Sequence, residues 1–155
     1  MSPVLETLTS LGITLPEAPK AVANYLPAVR CGDLVVVSGQ LPLVDGALTC
    51  TGKLGADVTI EAGYAAARQC AINALAAVNG LIDGDWSRVA QVVRVGGFVA
   101  SAPGFTDQPK VVNGASDFMV EVFGEPGRHA RAAVGVAELP LGAAVEVEFT
   151  FRLHA

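Results

Sequence analysis

Apolar residues in this chain recur at helical steps in three stretches and at strand steps in most of what lies between. The first helical stretch is SPVLETLTSLG, with leucines at 5, 8 and 11, Ser2 placed to cap the first turn, Pro3 at the first helical position and Gly12 to stop it. The second covers residues 59–82, where Ala71, Leu75, Val78 and Ile82 fall on one face. The third, PKVVNGASDFMVEVFGEPG, spaces Val111, Ala115, Phe118 and Val122 in the same way and ends at Gly124 and Pro126.

Between these helices the pattern is that of strands. YLPAVRCGDLVVVSGQLP reads as two extended runs meeting at Cys31, Gly32 and Asp33, a hairpin whose second run is apolar without a break over 34–37 and predicts a buried strand. GALTCTGKLG is a shorter, glycine-bounded candidate. VAQVVRVGGFVAS is rich in β-branched residues, and Gly96 with Gly97 predicts a bulge or a close backbone approach. The last two strands are predicted over 130–139 and 143–153, and the short LPLG connection pairs them locally as a hairpin. With no repeat, low-complexity tract or linker, the pattern is that of one α+β domain over 1–155, residues 1–20 being a helical addition at its N-terminus.

Two of the strands place polar residues in informative company. In the last, Val145, Val147, Phe149, Phe151 and Leu153 alternate with Glu146, Glu148, Thr150 and Arg152, so one face enters the core and both glutamates share the other. In the strand before it, Arg131 shares a face with Ala133, Gly135 and Ala137, which are too small to fill the space above them and leave room for a ligand. His129 alternates onto that same face.

Composition narrows the function classes. At 155 residues the chain can bury roughly two-thirds of its unfolded surface and needs no staple. Its 52% hydrophobic and 16% charged residues are apolar for one small domain, so part of that surface is expected to meet another subunit. A formal charge of -5 gives no broad footprint for phosphates and argues against a nucleic-acid partner. The longest uncharged run, residues 69–82, has 14 residues, short of the ~20 that span a bilayer. Glu6 and the lack of a basic leader predict no secretory signal and hence a cytoplasmic location. Cys31, Cys50 and Cys70 are odd in number, with no CxxC and no nearby histidine pair, and read as buried free thiols.

The candidate chemistry lies with the charged strand residues. Arg131 is either a strand charge in water or in an ion pair, or a clamp whose planar fork of donors holds a carboxylate in one orientation. Glu146 and Glu148 are either a solvated strand face or a source of acid/base chemistry. His129 and the distant His154 make no metal site, and GxGxxG, GxxxxGK and nucleophile-elbow motifs are absent. Ser38 has no sequence signature for an activating base.

Taken together, VSGQLP at 37–42 and ARAAVGVAELPLGAAVEVE at 130–148 resemble the RidA/YjgF family of reactive-intermediate deaminases, also called L-PSP endoribonuclease-like. The likeness runs from about Tyr25 to Arg152, and the N-terminal helix marks a longer-chain branch. The resemblance implies a chorismate mutase-like α+β fold with a mixed β-sheet on two main helices. It also implies a homotrimer with sites in the clefts between subunits, and a final strand whose neighbours are not those of the local hairpin. It further implies hydrolysis of enamines and imines of small 2-keto acids, such as 2-aminoacrylate and 2-iminopropanoate, to ammonia and the keto acid, with no metal or other cofactor. Carried over by position, Arg131 grips the substrate carboxylate and Glu146 positions or deprotonates water. Tyr25, Ser38, Gly39 and Asn113 line the cleft with the backbone of Ala133, which stands where the family often has cysteine. The alternatives are a trimer that binds a small carboxylate without turning it over and, less favoured by the acidic balance, an endoribonuclease.

Overall fold

The computed structural model describes residues 2–20 and 23–155. Helix α1, Pro3–Ser10, begins as its sequence dictates: the Ser2 hydroxyl accepts from the Leu5 amide at 3.3 Å, and Val4 and Leu8 are buried. Helix α2, Ile60–Leu81, is capped by Thr59, whose hydroxyl accepts from the Ala62 amide at 3.1 Å. Helix α3, Gln108–Phe123, stops at Gly124, which takes the left-handed φ of 65°.

The strands are β1 Ala28–Cys31, β2 Leu34–Gln40, β3 Leu43–Val44, β4 Ala47–Leu48, β5 Val89–Ala100, β6 Ala130–Val136 and β7 Val145–Leu153. Five of them form one sheet in the order β1-β2-β7-β5-β6, and β3 pairs with β4 alone. β1 and β2 make the predicted hairpin across Gly32, whose φ of 64° suits a residue without Cβ. The predicted strand in GALTCTGKLG reduces to β4 and isolated bridges from Thr51 to Ala143 and from Leu54 to Val58 and Ser101.

The local hairpin of the last two strands does not form, because β5 lies between them, antiparallel to β7 and parallel to β6. Parallel neighbours need a crossover, and α3 supplies it between β5 and β6. The LPLG turn, with Leu141 at φ 59° and Gly142 at φ 75°, then carries the chain past β5 to the sheet centre. There the apolar half of β7 meets the helices: Val145, Val147, Phe149, Phe151 and Leu153 are all buried.

Other local readings also change. β2 is buried on one side only: Val35 and Val37 are in the core, while Val36 is 49% exposed on the face away from the helices. Gly96 and Gly97 sit in an unbroken register with β6, so no bulge forms there; the register shifts of β5 lie nearer its start. Close approach is the reason for these glycines. A Cβ on Gly97 would collide with the Val112 side chain of α3, and one on Gly96 would lie 2.8 Å from the Glu148 side chain on the other face. Of the cysteines expected to be buried, only Cys70 is; Cys50 is half-buried, and Cys31 is exposed because it ends an edge strand.

Candidate active site

Arg131 projects from β6 toward α3. In the parallel register it lies beside Val95 and two positions from the Gly97–Ala133 pair, so it shares the helix-covered face with Ala133. Its Nη1 donates to Asn113 Oδ1 at 2.8 Å and to Ser116 Oγ at 3.1 Å. Asn113 and Ser116 are three apart on α3, one above the other on the same helical face. Both hydrogens of Nη1 are therefore committed. Nη2 reaches only the Pro109 carbonyl, at a weak 3.5 Å, and Nε has no partner among the described residues. The edge formed by Nε and Nη2 is thus left to receive a planar anion side-on.

The hollow predicted above the small residues of β6 is partly filled. The Gln108 side chain lies where a Gly135 Cβ would stand, donating to Ser101 Oγ at 3.2 Å and to the Phe105 carbonyl at 2.8 Å. Ala137 lies beyond the end of the strand.

Ser116 extends the cluster to a residue the sequence had set aside. Its Oγ lies 2.9 Å from His129 Nε2, and His129 Nδ1 lies 2.6 Å from the Gly127 carbonyl. Burial pushes the His129 pKa below its ordinary 6.5 against the opposing pull of the Gly127 carbonyl, and the neighbouring Arg131 charge adds to the lowering, which favours the neutral ring. A signal for both residues was present, since His129 shares the strand face of Arg131 and Ser116 the helix face of Asn113. Nothing in the sequence says that the two faces meet.

Glu146 belongs to a second cluster. Its carboxylate lies over Gly39, in the space that a side chain there would occupy. Ser38 Oγ donates to the Leu26 carbonyl at 2.6 Å and its amide donates to the Pro27 carbonyl at 2.9 Å, tying the SGQ turn to the chain beside Tyr25. Tyr25 itself is 58% exposed. The shift in β2–β7 register between Val37 and Gln40 produces this irregular turn. Beyond it, the buried Asn73 of α2 donates to the carbonyls of Leu41 and Leu43, both at 3.0 Å, and fixes where the turn exits. Burial raises the Glu146 pKa, and the nearby Glu148 charge raises it further.

The seven candidate residues thus fall into two groups, Arg131, Asn113 and Ala133 in one and Tyr25, Ser38, Gly39 and Glu146 in the other. Glu146 alternates with the buried Val145 and Val147 and pairs with Phe98, so it stands on the sheet face away from the helices. Arg131 stands on the helix face. Within one chain the sheet separates them. Among the described residues no three histidine, cysteine or acidic side chains are grouped to hold a metal ion, and no helix is long and apolar enough to cross a membrane.

Comparison with known proteins bears on the family and the fold. A family model described as YjgF/chorismate mutase-like, with endoribonuclease as a supposed activity, matches residues 6–152. Protein TCP17 of Trypanosoma cruzi is 49% identical over 152 residues, which are 97% of this chain and 94% of that protein. The 2-iminobutanoate/2-iminopropanoate deaminase of Dermatophagoides farinae is 32% identical over 137 residues, covering 88% of this chain and 91% of that one. Among solved structures, Atu1372 of Agrobacterium tumefaciens, of unknown function, superimposes with a TM-score of 0.91 at 45% identity, over 98% of this chain and 94% of that one.

Proposed function

The chain belongs to the YjgF/RidA family and has its chorismate mutase-like α+β fold, and from that premise we propose that it hydrolyses imines and enamines of small 2-keto acids. The observation that carries the reading is the state of Arg131: one end of its guanidinium is tied down by Asn113 and Ser116, and the opposite edge is open. A solvated surface charge has no need of such anchoring. A carboxylate clamp does, because orienting the acid sets the angle at which water meets the imine carbon.

The remaining chemistry asks for a base. An imine carbon is already electrophilic, so water adds to it once a proton is removed. Glu146, whose pKa burial and the Glu148 charge raise, takes that proton. Glu146 returns that proton to the nitrogen to complete the carbinolamine, which then collapses: its hydroxyl proton passes to the amino group, the C–N bond breaks as the C=O bond forms, and ammonia and the 2-keto acid leave. Water supplies the keto oxygen and two hydrogens of the ammonia, and the reaction as proposed requires no cofactor. Ser38, Gly39 and Tyr25 shape the side of the cleft from which water approaches, and the backbone of Ala133 borders the substrate beside Arg131.

Since the sheet separates Arg131 from Glu146 within one chain, the site we propose forms between chains, the Arg131 cluster of one subunit facing the Glu146 cluster of the next in a homotrimer. The exposed apolar residues Val29, Val36 and Val134 support such a contact. Ammonia release from freshly generated 2-aminoacrylate tests the activity. Pyruvate binding without ammonia release would instead leave a small-carboxylate binder.

A further inference from the structure

The donors and acceptors around Arg131 form a chain whose direction can be worked out atom by atom. The Gly127 carbonyl can only accept, so the hydrogen between it and His129 must reside on Nδ1. A neutral ring with Nδ1–H has a bare lone pair on Nε2. Ser116, 2.9 Å away, therefore donates its hydroxyl hydrogen to Nε2 and turns its oxygen lone pairs toward Arg131 Nη1. Each link fixes the next: Arg131 donates to Ser116, Ser116 to His129, and His129 to Gly127. The far end is rigid, because Gly127 is buried against the backbone of α3 at Met119 and Val120, with no room for a side chain.

We propose that Ser116 and His129 are positioning residues, which immobilise the Nη1 end of the Arg131 guanidinium and thereby fix the Nε and Nη2 edge as the one that receives a ligand carboxylate. The proposal rests on the clamp reading of Arg131 and deepens it. Asn113 alone would leave one Nη1 hydrogen free and the guanidinium able to pivot about that single bond. The second anchor, through Ser116, removes the pivot. Serine without His129 would not serve as well, since its hydroxyl could rotate and direct its own hydrogen at the arginine, where a cation repels it. The imidazole takes that hydrogen and settles the polarity of the link.

The test reads the anchoring directly, on the full chain and without ligand. Nitrogen-15 NMR of arginine side chains gives the rate of rotation of the Arg131 guanidinium, and the histidine nitrogen shifts give the His129 tautomer. Neutral His129 should carry its hydrogen on Nδ1. Ser116→Ala and His129→Phe should each speed the rotation, and each should weaken pyruvate binding about tenfold or more, the loss expected for a hydrogen bond to a charged group. Ser116→Thr restores the hydroxyl and should recover most of both losses. Unchanged rotation and pyruvate affinity in Ser116→Ala, or an Nε2–H tautomer in the wild type, would overturn the proposal. If His129→Phe does not fold, the contrast between Ser116→Ala and Ser116→Thr decides alone. A wild type that releases no ammonia from 2-aminoacrylate would refute the hydrolase reading while leaving the rotation measurement intact.

Discussion

In the proposed clamp, Arg131 acts through the pairing of its two ends. A lysine at 131 keeps the charge but presents a single ammonium, which cannot satisfy Asn113 and Ser116 on one side and a carboxylate fork on the other. Arg131→Lys should therefore lose most turnover of 2-iminopropanoate while melting close to the wild type, and wild-type turnover in a steady-state assay would remove the clamp. Glu146 yields a pH prediction. As a base it must be ionised, so activity should fall as pH drops through its raised pKa, and Glu148→Gln, by deleting a neighbouring charge, should move that limb to lower pH. Glu146→Gln should slow turnover by roughly 10² to 10⁴, the range for losing a positioned base. Its stability has the opposite sign. The folded state holds the Glu146 proton more tightly than the unfolded chain does, so this group weakens the fold as pH rises from its ordinary 4.5 through the raised value. Glu146→Gln should consequently melt no lower than the wild type at pH 7. His129 runs the other way: its lowered pKa means that the unfolded chain takes up the proton first, and stability is lost on acidification below 6.5.

Glycines in three elements decide how closely the functional side chains can be brought in. Gly97 in β5 lets α3 lie against the sheet, which places Asn113 and Ser116 within reach of Arg131. Gly114 of α3 meets the Tyr64 backbone of α2, where a Cβ has no space. Gly39 in β2 differs, because what occupies its side-chain space is the flexible Glu146 carboxylate rather than backbone. Alanine should accordingly separate fold from function at these positions. Gly114→Ala should cost about 1–3 kcal/mol as an overpacked helix contact, read from chemical denaturation. Gly39→Ala should keep its denaturation midpoint and lose turnover, because it displaces Glu146. Equal stability losses in the two would mean that Glu146 is pinned as firmly as backbone. The sequence marked Gly96 and Gly97 as a bulge or a close approach but could not say what they approach.

At the scale of the whole molecule, the sheet has one face under the helices and one face open. The open face carries Val36 and Val134, together with Phe98, Glu146 and Glu148. Val36 and Val134 are 49% and 46% exposed, apolar surface on the same face as the candidate base. A homotrimer joined through this face would bury them and bring two half-sites together. Light scattering at micromolar concentration should give three times the chain mass, and Val36→Glu should dissociate the assembly and abolish turnover together. A monomeric, active wild type would refute the interchain site.

What the sequence determined by itself was local or periodic. The extents of α2 and α3, the cap at Ser2, the β1–β2 hairpin and the two-faced β7 all follow from side-chain spacing and from residues that begin or end elements, which act within a few positions along the chain. The family was legible as well, because its motifs are short runs such as SGQLP and VEVE. What only the tertiary structure decided was adjacency. A hairpin between β6 and β7 satisfies every local rule, yet β5 takes the place between them, since α3 can return the chain beside β5 only as a parallel neighbour and β7 then closes the sheet's other side. That same crossover fixed the site: it set Asn113 and Ser116 of α3 over Arg131, enlisted His129, and put Glu146 on the opposite face. Spacing along the chain determines which way a side chain points, but which partner it meets depends on contacts between residues distant in sequence.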